Sequence, residues 1–158
     1  MSKTTRATQF LDKAGVKYDL VTYDYDPDAD RIGMQAAEAI GAEPFRVLKT
    51  LMAEVDGKAV CVVVPSDHEV SMKKLAHAVA GKSAHMMKPA DAERFTGYHV
   101  GGISPFGQKK RVTTLFEVSA LEHETVYMNG GQRGLQVNLK PADAVRALDA
   151  KAVDLLAE

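Results

Sequence analysis

Two stretches of this chain combine residue types that can do chemistry. The first is Gly101-Gly102-Ile103-Ser104-Pro105, followed by Phe106-Gly107-Gln108 and three cations, Lys109-Lys110-Arg111. Adjacent glycines let a ligand approach backbone N–H groups closely, and such groups bind anions. The plainer reading is a tight turn entering a strand, because Gly and Pro mark turns by default. The second stretch is Lys49-Thr50-Leu51-Met52-Ala53. Alternation along a strand puts Lys49 on one face with Leu51 and Ala53. A lysine on an apolar face costs free energy unless its charge has a partner. Snorkelling to the sheet edge is the structural alternative.

Other candidate motifs fall short. Gly102-Ile103-Ser104-Pro105-Phe106-Gly107 is one residue too long for a nucleophile elbow, and Pro105 follows the serine. The same two glycines have phosphate-loop spacing, but Gln108-Lys109 stands where Lys-Ser/Thr is required. Asp24, Asp26, Asp28 and Asp30 alternate like the start of a calcium loop. Ala29 then occupies the glycine position and Gln35 the final carboxylate position, so a solvated turn is expected. His68, His77, His85, His99 and His123 include no helical metal pair. Cys61 lies in the apolar run Val60-Cys61-Val62-Val63-Val64, where a buried thiol is inert. The expected pocket therefore works by binding and orientation, with backbone donors and one lysine, and without a metal or cofactor.

The elements that must position these residues follow from periodicity and punctuation. A helix over 4–14 carries Ala7, Phe10, Leu11 and Ala14 on one face, capped by Thr4 or Thr5 and stopped by Gly15. Tyr18–Tyr23 alternates as a strand, and 33–40 is a short helix ending at Gly41. Lys49–Val55 and Lys58–Pro65 are strands joined by an Asp56-Gly57 hairpin turn. The second is apolar on both faces and belongs in the middle of a sheet. Helices are predicted over 72–79, capped by Ser71 and stopped by Gly81, over 89–95, and from Pro141 onward. Strands are predicted over 85–87, 111–118, 125–128 and 135–139, with 151–156 either a helix end or an edge strand. Hairpin-like pairs interrupted by helices, without a regular βαβ rhythm, give an α+β fold with a curved, partly antiparallel sheet or barrel.

Composition sets the outer bounds. The 158 residues make a single domain, 1–158, with 46% apolar and 26% charged residues. A net charge of −1 provides no global pull toward nucleic acid, so contacts must come from clusters such as Lys109-Lys110-Arg111. The absence of Trp argues against a base-stacking platform for single strands. One cysteine excludes a disulfide framework. With no long apolar run and no signal-peptide pattern, a cytoplasmic protein without membrane association is expected.

Several motifs occur in an informative order: Val21-Thr22-Tyr23-Asp24, then Arg46-Val47-Leu48-Lys49-Thr50-Leu51, then Gly97 through the glycine loop to Arg111, then Thr125 to Leu135 with Asn129-Gly130-Gly131. This set resembles the YbaK family of free-standing editing proteins, the bacterial Cys-tRNA(Pro) deacylases. These are related to the editing domain inserted in bacterial prolyl-tRNA synthetases. The resemblance covers essentially the whole chain, and many members carry Ser-Gly-Gly where this one has Asn129-Gly130-Gly131. It implies a mixed, largely antiparallel sheet of six or seven strands curled into an open barrel with flanking helices. It implies hydrolysis in trans of the ester joining cysteine to tRNA(Pro), with prolyl-tRNA synthetase as partner and no metal. The substrate thiol itself would attack its carbonyl. Lys49, Gly101 and Gly102 map onto the catalytic positions. Tyr23, Phe45, Arg46, Thr50, Ile103, Ser104, Pro105, Asn129 and Gly130 map onto the pocket. Lys109, Lys110 and Arg111 are candidate tRNA-phosphate contacts, against the alternative of a solvated face.

Two other readings stay open at this point. One is deacylation of a different misacylated tRNA, alanyl or seryl. The other is a non-catalytic module that binds the synthetase or a nucleotide. A weak homodimer is compatible with all three.

Overall fold

The fold is described from a computed structural model over residues 4–26 and 32–158. Residues 1–3 and 27–31, the latter holding Asp28 and Asp30 of the alternating carboxylates, lie outside this description.

Asp56 and Gly57 both adopt left-handed backbone, with φ of 51° and 83°. That is the geometry of a two-residue hairpin turn whose twist matches its strands. It joins β2 (Leu48–Val55) to β3 (Lys58–Pro65), paired antiparallel from Leu48↔Pro65 to Val55↔Lys58. β3 is the central strand of a five-stranded sheet in the order β4-β2-β3-β5-β8, as its two-faced apolar run predicts. β4 (Ala84–Met86) pairs antiparallel with β2. β5 (Thr113–Glu117) and the edge strand β8 (Lys151–Val153) add in parallel on the other side. A second, three-stranded antiparallel sheet has the order β1-β7-β6, from Asp19–Thr22, Leu135–Leu139 and Val126–Asn129.

The expected single sheet of six or seven strands is thus replaced by eight strands in two sheets among the described residues. An isolated parallel bridge, Val47↔Tyr127, links the sheets without closing a barrel. The α+β class stands, with four of the six strand pairings antiparallel.

β3 separates two apolar layers. Val63 faces a cluster with Leu11, Phe106, Phe116, Met128 and Val137. Val60, Val62 and Val64 face Leu75, Leu115 and Leu155. Helices cover these faces: α1 (Arg6–Lys13), α2 (Ile32–Ile40), α3 (Met72–Ala78), α4 (Pro89–Thr96) and α5 (Pro141–Leu148). Thr5 caps α1 and shares a reciprocal capping box with Thr8. Thr8 is therefore buried, and Ala14, expected on the inward face, is exposed beyond the helix end. At the end of α3 the left-handed residue is Ala80 (φ 56°) instead of Gly81. Gly81 is needed for space, because a Cβ there would press into the Val55 side chain.

Candidate functional site

The site begins at an unpaired stretch of sheet edge. Met52 accepts a hydrogen bond from the Met87 N–H at 3.0 Å, so its polar backbone groups point to the β4 side. Alternation aims Thr50 the same way. The β2–β4 ladder, however, covers only Ala53–Val55, while β6 meets the chain just before β2, at Val47. Between them a gap runs along β2, and a cavity of about 330 Å³ opens there. Its wall includes Lys49, Thr50, Tyr23, Gly101, Ile103 and Asn129, six residues singled out by sequence. Lys49 thus reaches the cavity from an open strand edge, alongside apolar neighbours.

The glycine loop is built as a turn. Gly102 N–H donates to the His99 carbonyl at 2.8 Å, and Gly101 has φ 92°. Positive φ at the third turn residue is the type II geometry, which selects glycine. Space selects it too: a Cβ on Gly101 would press against the Tyr25 hydroxyl. Asn129 then clamps the loop. Its Nδ2 donates to the Gly101 carbonyl at 3.2 Å, and its Oδ1 accepts from Gly131 N–H at 2.7 Å. Both halves of this amide are used, which a serine at the position cannot reproduce in the same way. Arg133 Nε adds a bond to the Val100 carbonyl at 2.8 Å. Further along, Tyr98 donates its hydroxyl to the Phe106 carbonyl at 2.5 Å, and burial raises the Tyr98 pKa to about 12.

Other sequence-predicted residues serve this loop or lie away from the cavity. Ser104 is fully buried and its Oγ accepts the Phe106 N–H at 3.1 Å, so it shapes the loop. Pro105 is buried beside it. Gly102 does not line the cavity, and its N–H is already bonded within the turn. The absent Gly102 side chain instead admits the backbone of Gln132 and Arg133. Gly130 exchanges bonds with the Leu135 carbonyl and the Thr5 hydroxyl. Phe45 is 41% exposed and stacks on His123. Arg46 stitches the sheets together: it donates to the Thr125 carbonyl and hydroxyl and lies 5.6 Å from the Tyr127 ring centroid. Lys109 and Lys110 border a separate depression with Glu54 and Asp91, sharing Met87 with the cavity. Arg111 borders another, with Asp149.

Sequence reasoning missed Gln136, which is 4% exposed and lines the cavity. It alternates with Leu135 and Val137 and so reads as a solvent-facing strand position. The central strand β7, however, is covered on both faces around this position, with Leu135, Gln136 and Val137 all buried. Among the described residues, Gln136 Oε1 and Thr50 Oγ1 are buried without a hydrogen-bond partner. Buried polar atoms left unpaired are costly, and two on one cavity wall are poised to bind a polar ligand. Burial also raises the Tyr23 hydroxyl above its ordinary pKa, against smaller opposing effects of Gln136 and the Gly134 backbone. Cys61 does not line the cavity, and burial pushes its thiol up to about 12.

Comparison with known proteins identifies the family. Residues 26–147 match the family model described as the aminoacyl-tRNA editing domain. The chain belongs to that family. An Enterococcus faecalis protein provisionally named Cys-tRNA(Pro)/Cys-tRNA(Cys) deacylase EbsC is 34% identical over 140 residues, spanning 87% of this chain and 84% of that one. The proline--tRNA ligase of Maridesulfovibrio salexigens is 31% identical over 100 residues, which is 63% of this chain and 17% of the ligase. A crystal structure assigned as a trans-editing enzyme for prolyl tRNA synthetase superposes with a TM-score of 0.86. At 21% identity it covers 100% of this chain and 99% of its own, and it shares the editing-domain fold.

Proposed function

We propose that this editing domain acts in trans on mischarged Cys-tRNA(Pro), breaking the ester between cysteine and the terminal ribose. The observation that carries the reading is the cavity itself. Lys49, the Gly101 turn and two unpartnered acceptors share one wall, and among the described residues no serine, cysteine or histidine lines it. A site of that kind suits a substrate that brings its own nucleophile. The relationship to EbsC supports the same substrate.

In this mechanism the cysteinyl sulfur attacks its own carbonyl carbon. A sulfur–carbon bond forms and the carbon–oxygen bond to the ribose breaks. The thiol proton ends on the departing ribose hydroxyl, and water later opens the thiolactone. Gly101 N–H stabilises the oxyanion, a contribution of about 2.7–4 kcal/mol for one such donor. Thr50 Oγ and Gln136 Oε1 accept from the substrate ammonium group. Lys49 holds the terminal nucleotide close to attack geometry, where positioning can contribute roughly 7–11 kcal/mol. Lys109, Lys110 and Arg111 meet tRNA phosphates, and prolyl-tRNA synthetase delivers a tRNA that a chain of net charge −1 attracts weakly.

Incubation with Cys-tRNA(Pro) and Ala-tRNA(Pro) tests this, with cysteine released preferentially. Persistence of both esters would sink the enzyme reading and leave a binding module. Lys49→Ala is expected to reduce hydrolysis strongly at unchanged folding.

A further inference from the structure

A second cavity adjoins the first, with Tyr23 as the shared wall. It measures about 720 Å³ and is bordered by Asp24, Tyr25, Gln132, Arg133 and Gly134. The Arg133 guanidinium lies 5.3 Å from the Tyr25 ring centroid, so two flat groups meet at its edge. Gly134 lets the Tyr23 backbone approach closely at this border, since a Cβ there would run into the Tyr23 carbonyl. Tyr25 also packs its hydroxyl against Gly101, which couples this shelf to the loop of the first cavity.

The chemistry favours a nucleobase over a phosphate. Asp24 borders the shelf and would repel an anion. Glu93 is also close to Arg133: its carboxyl is held below the usual range, chiefly by the Val100 N–H, with a smaller share from the Arg133 charge. A guanidinium beside an aromatic ring stacks well on any base. Asp24 is acceptor-only when ionised and selects an exocyclic amine, while the Gln132 amide both donates and accepts. An ester held in the first cavity puts its own base next door.

We propose that the Tyr25–Arg133 shelf seats the terminal adenine of the tRNA acceptor end, with Asp24 and Gln132 reading its amino edge. This rests on the function proposed above. The test uses adenosine and inosine as NMR probes of the intact chain, beside kinetics on Cys-tRNA(Pro). Adenosine should shift the amides of Tyr25, Arg133 and Gly134, and inosine, which carries a carbonyl in place of the amine, should do so only weakly. Arg133→Ala and Tyr25→Leu should each weaken adenosine binding and raise KM by about tenfold, with kcat changed much less. Equal shifts from both nucleosides, or unmoved shelf amides, would overturn the proposal. So would a fall in kcat at constant KM in Arg133→Ala, the result expected if Arg133 only holds the Val100 carbonyl. If the wild type releases no cysteine, the editing reading fails, and the nucleoside titration still decides the shelf.

Discussion

Gly101→Ala separates the loop's chemical role from its architecture. Alanine at φ 92° places an L side chain in left-handed backbone, costing about 1–2 kcal/mol. Restricting the unfolded chain returns about 0.4–1 kcal/mol, leaving a net loss near 1 kcal/mol. For a domain of this size that lowers Tm by about 2–4 °C. The new Cβ also presses on the Tyr25 hydroxyl, so the turn must shift and carry the Gly101 N–H out of line. Losing one preorganised oxyanion donor costs about 10²–10³-fold in kcat. Gly41→Ala is the control: its φ is 73° and a Cβ there meets nothing within 4 Å. It should lose similar stability and keep full turnover. The assay is cysteine release from Cys-tRNA(Pro), with melting followed by circular dichroism. Gly101→Ala with wild-type kcat and a lowered Tm would refute the oxyanion role.

Three further outcomes are expected. Gln136→Leu removes a buried unpaired oxygen from the cavity wall, so it should hold or raise Tm while raising KM for the aminoacyl ester; unchanged KM would show that Gln136 does not meet the substrate. Arg46→Met should lower Tm through loss of two hydrogen bonds and leave kcat intact, since Arg46 joins the sheets away from the cavity; a selective loss of kcat would return it to the site. The buried Cys61 thiol has its pKa raised from 9.0 to about 12, so the stability it contributes is complete below pH 9 and lost as pH rises toward 12. The unfolding free energy from denaturant titration should fall across this window by up to about 1.4 kcal/mol per pH unit, less steeply in Cys61→Ala, and a flat profile would contradict the assignment.

Most elements were legible because their signals are local. The Asp56-Gly57 turn, the Ser71 cap, Pro89 and Pro141 at helix starts, and the two-faced run of β3 all depend on neighbouring residues. The split into two sheets was not legible. It depends on where β4 stops along β2 and where β6 meets Val47, which are long-range pairings without a local signature. The same limit explains the site. Lys49 stood out as a cation in an apolar strand and the glycine loop stood out by composition. Arg46 and Phe45 lie next to the motif in sequence but turn away in the short helical turn Pro44–Arg46. Gln136 looked like an ordinary outward strand residue, and only the packing of the second sheet buries it.

The central claim is that the cavity accelerates a reaction whose nucleophile belongs to the substrate. Paired deacylation of Cys-tRNA(Pro) and Ser-tRNA(Pro) tests it most directly, because one atom, sulfur or oxygen, distinguishes the two esters. The mechanism predicts rapid release of cysteine and much slower release of serine, although both side chains fit the same space. Equal rates for the two esters would contradict it and point to an attacking group supplied by the protein or by water.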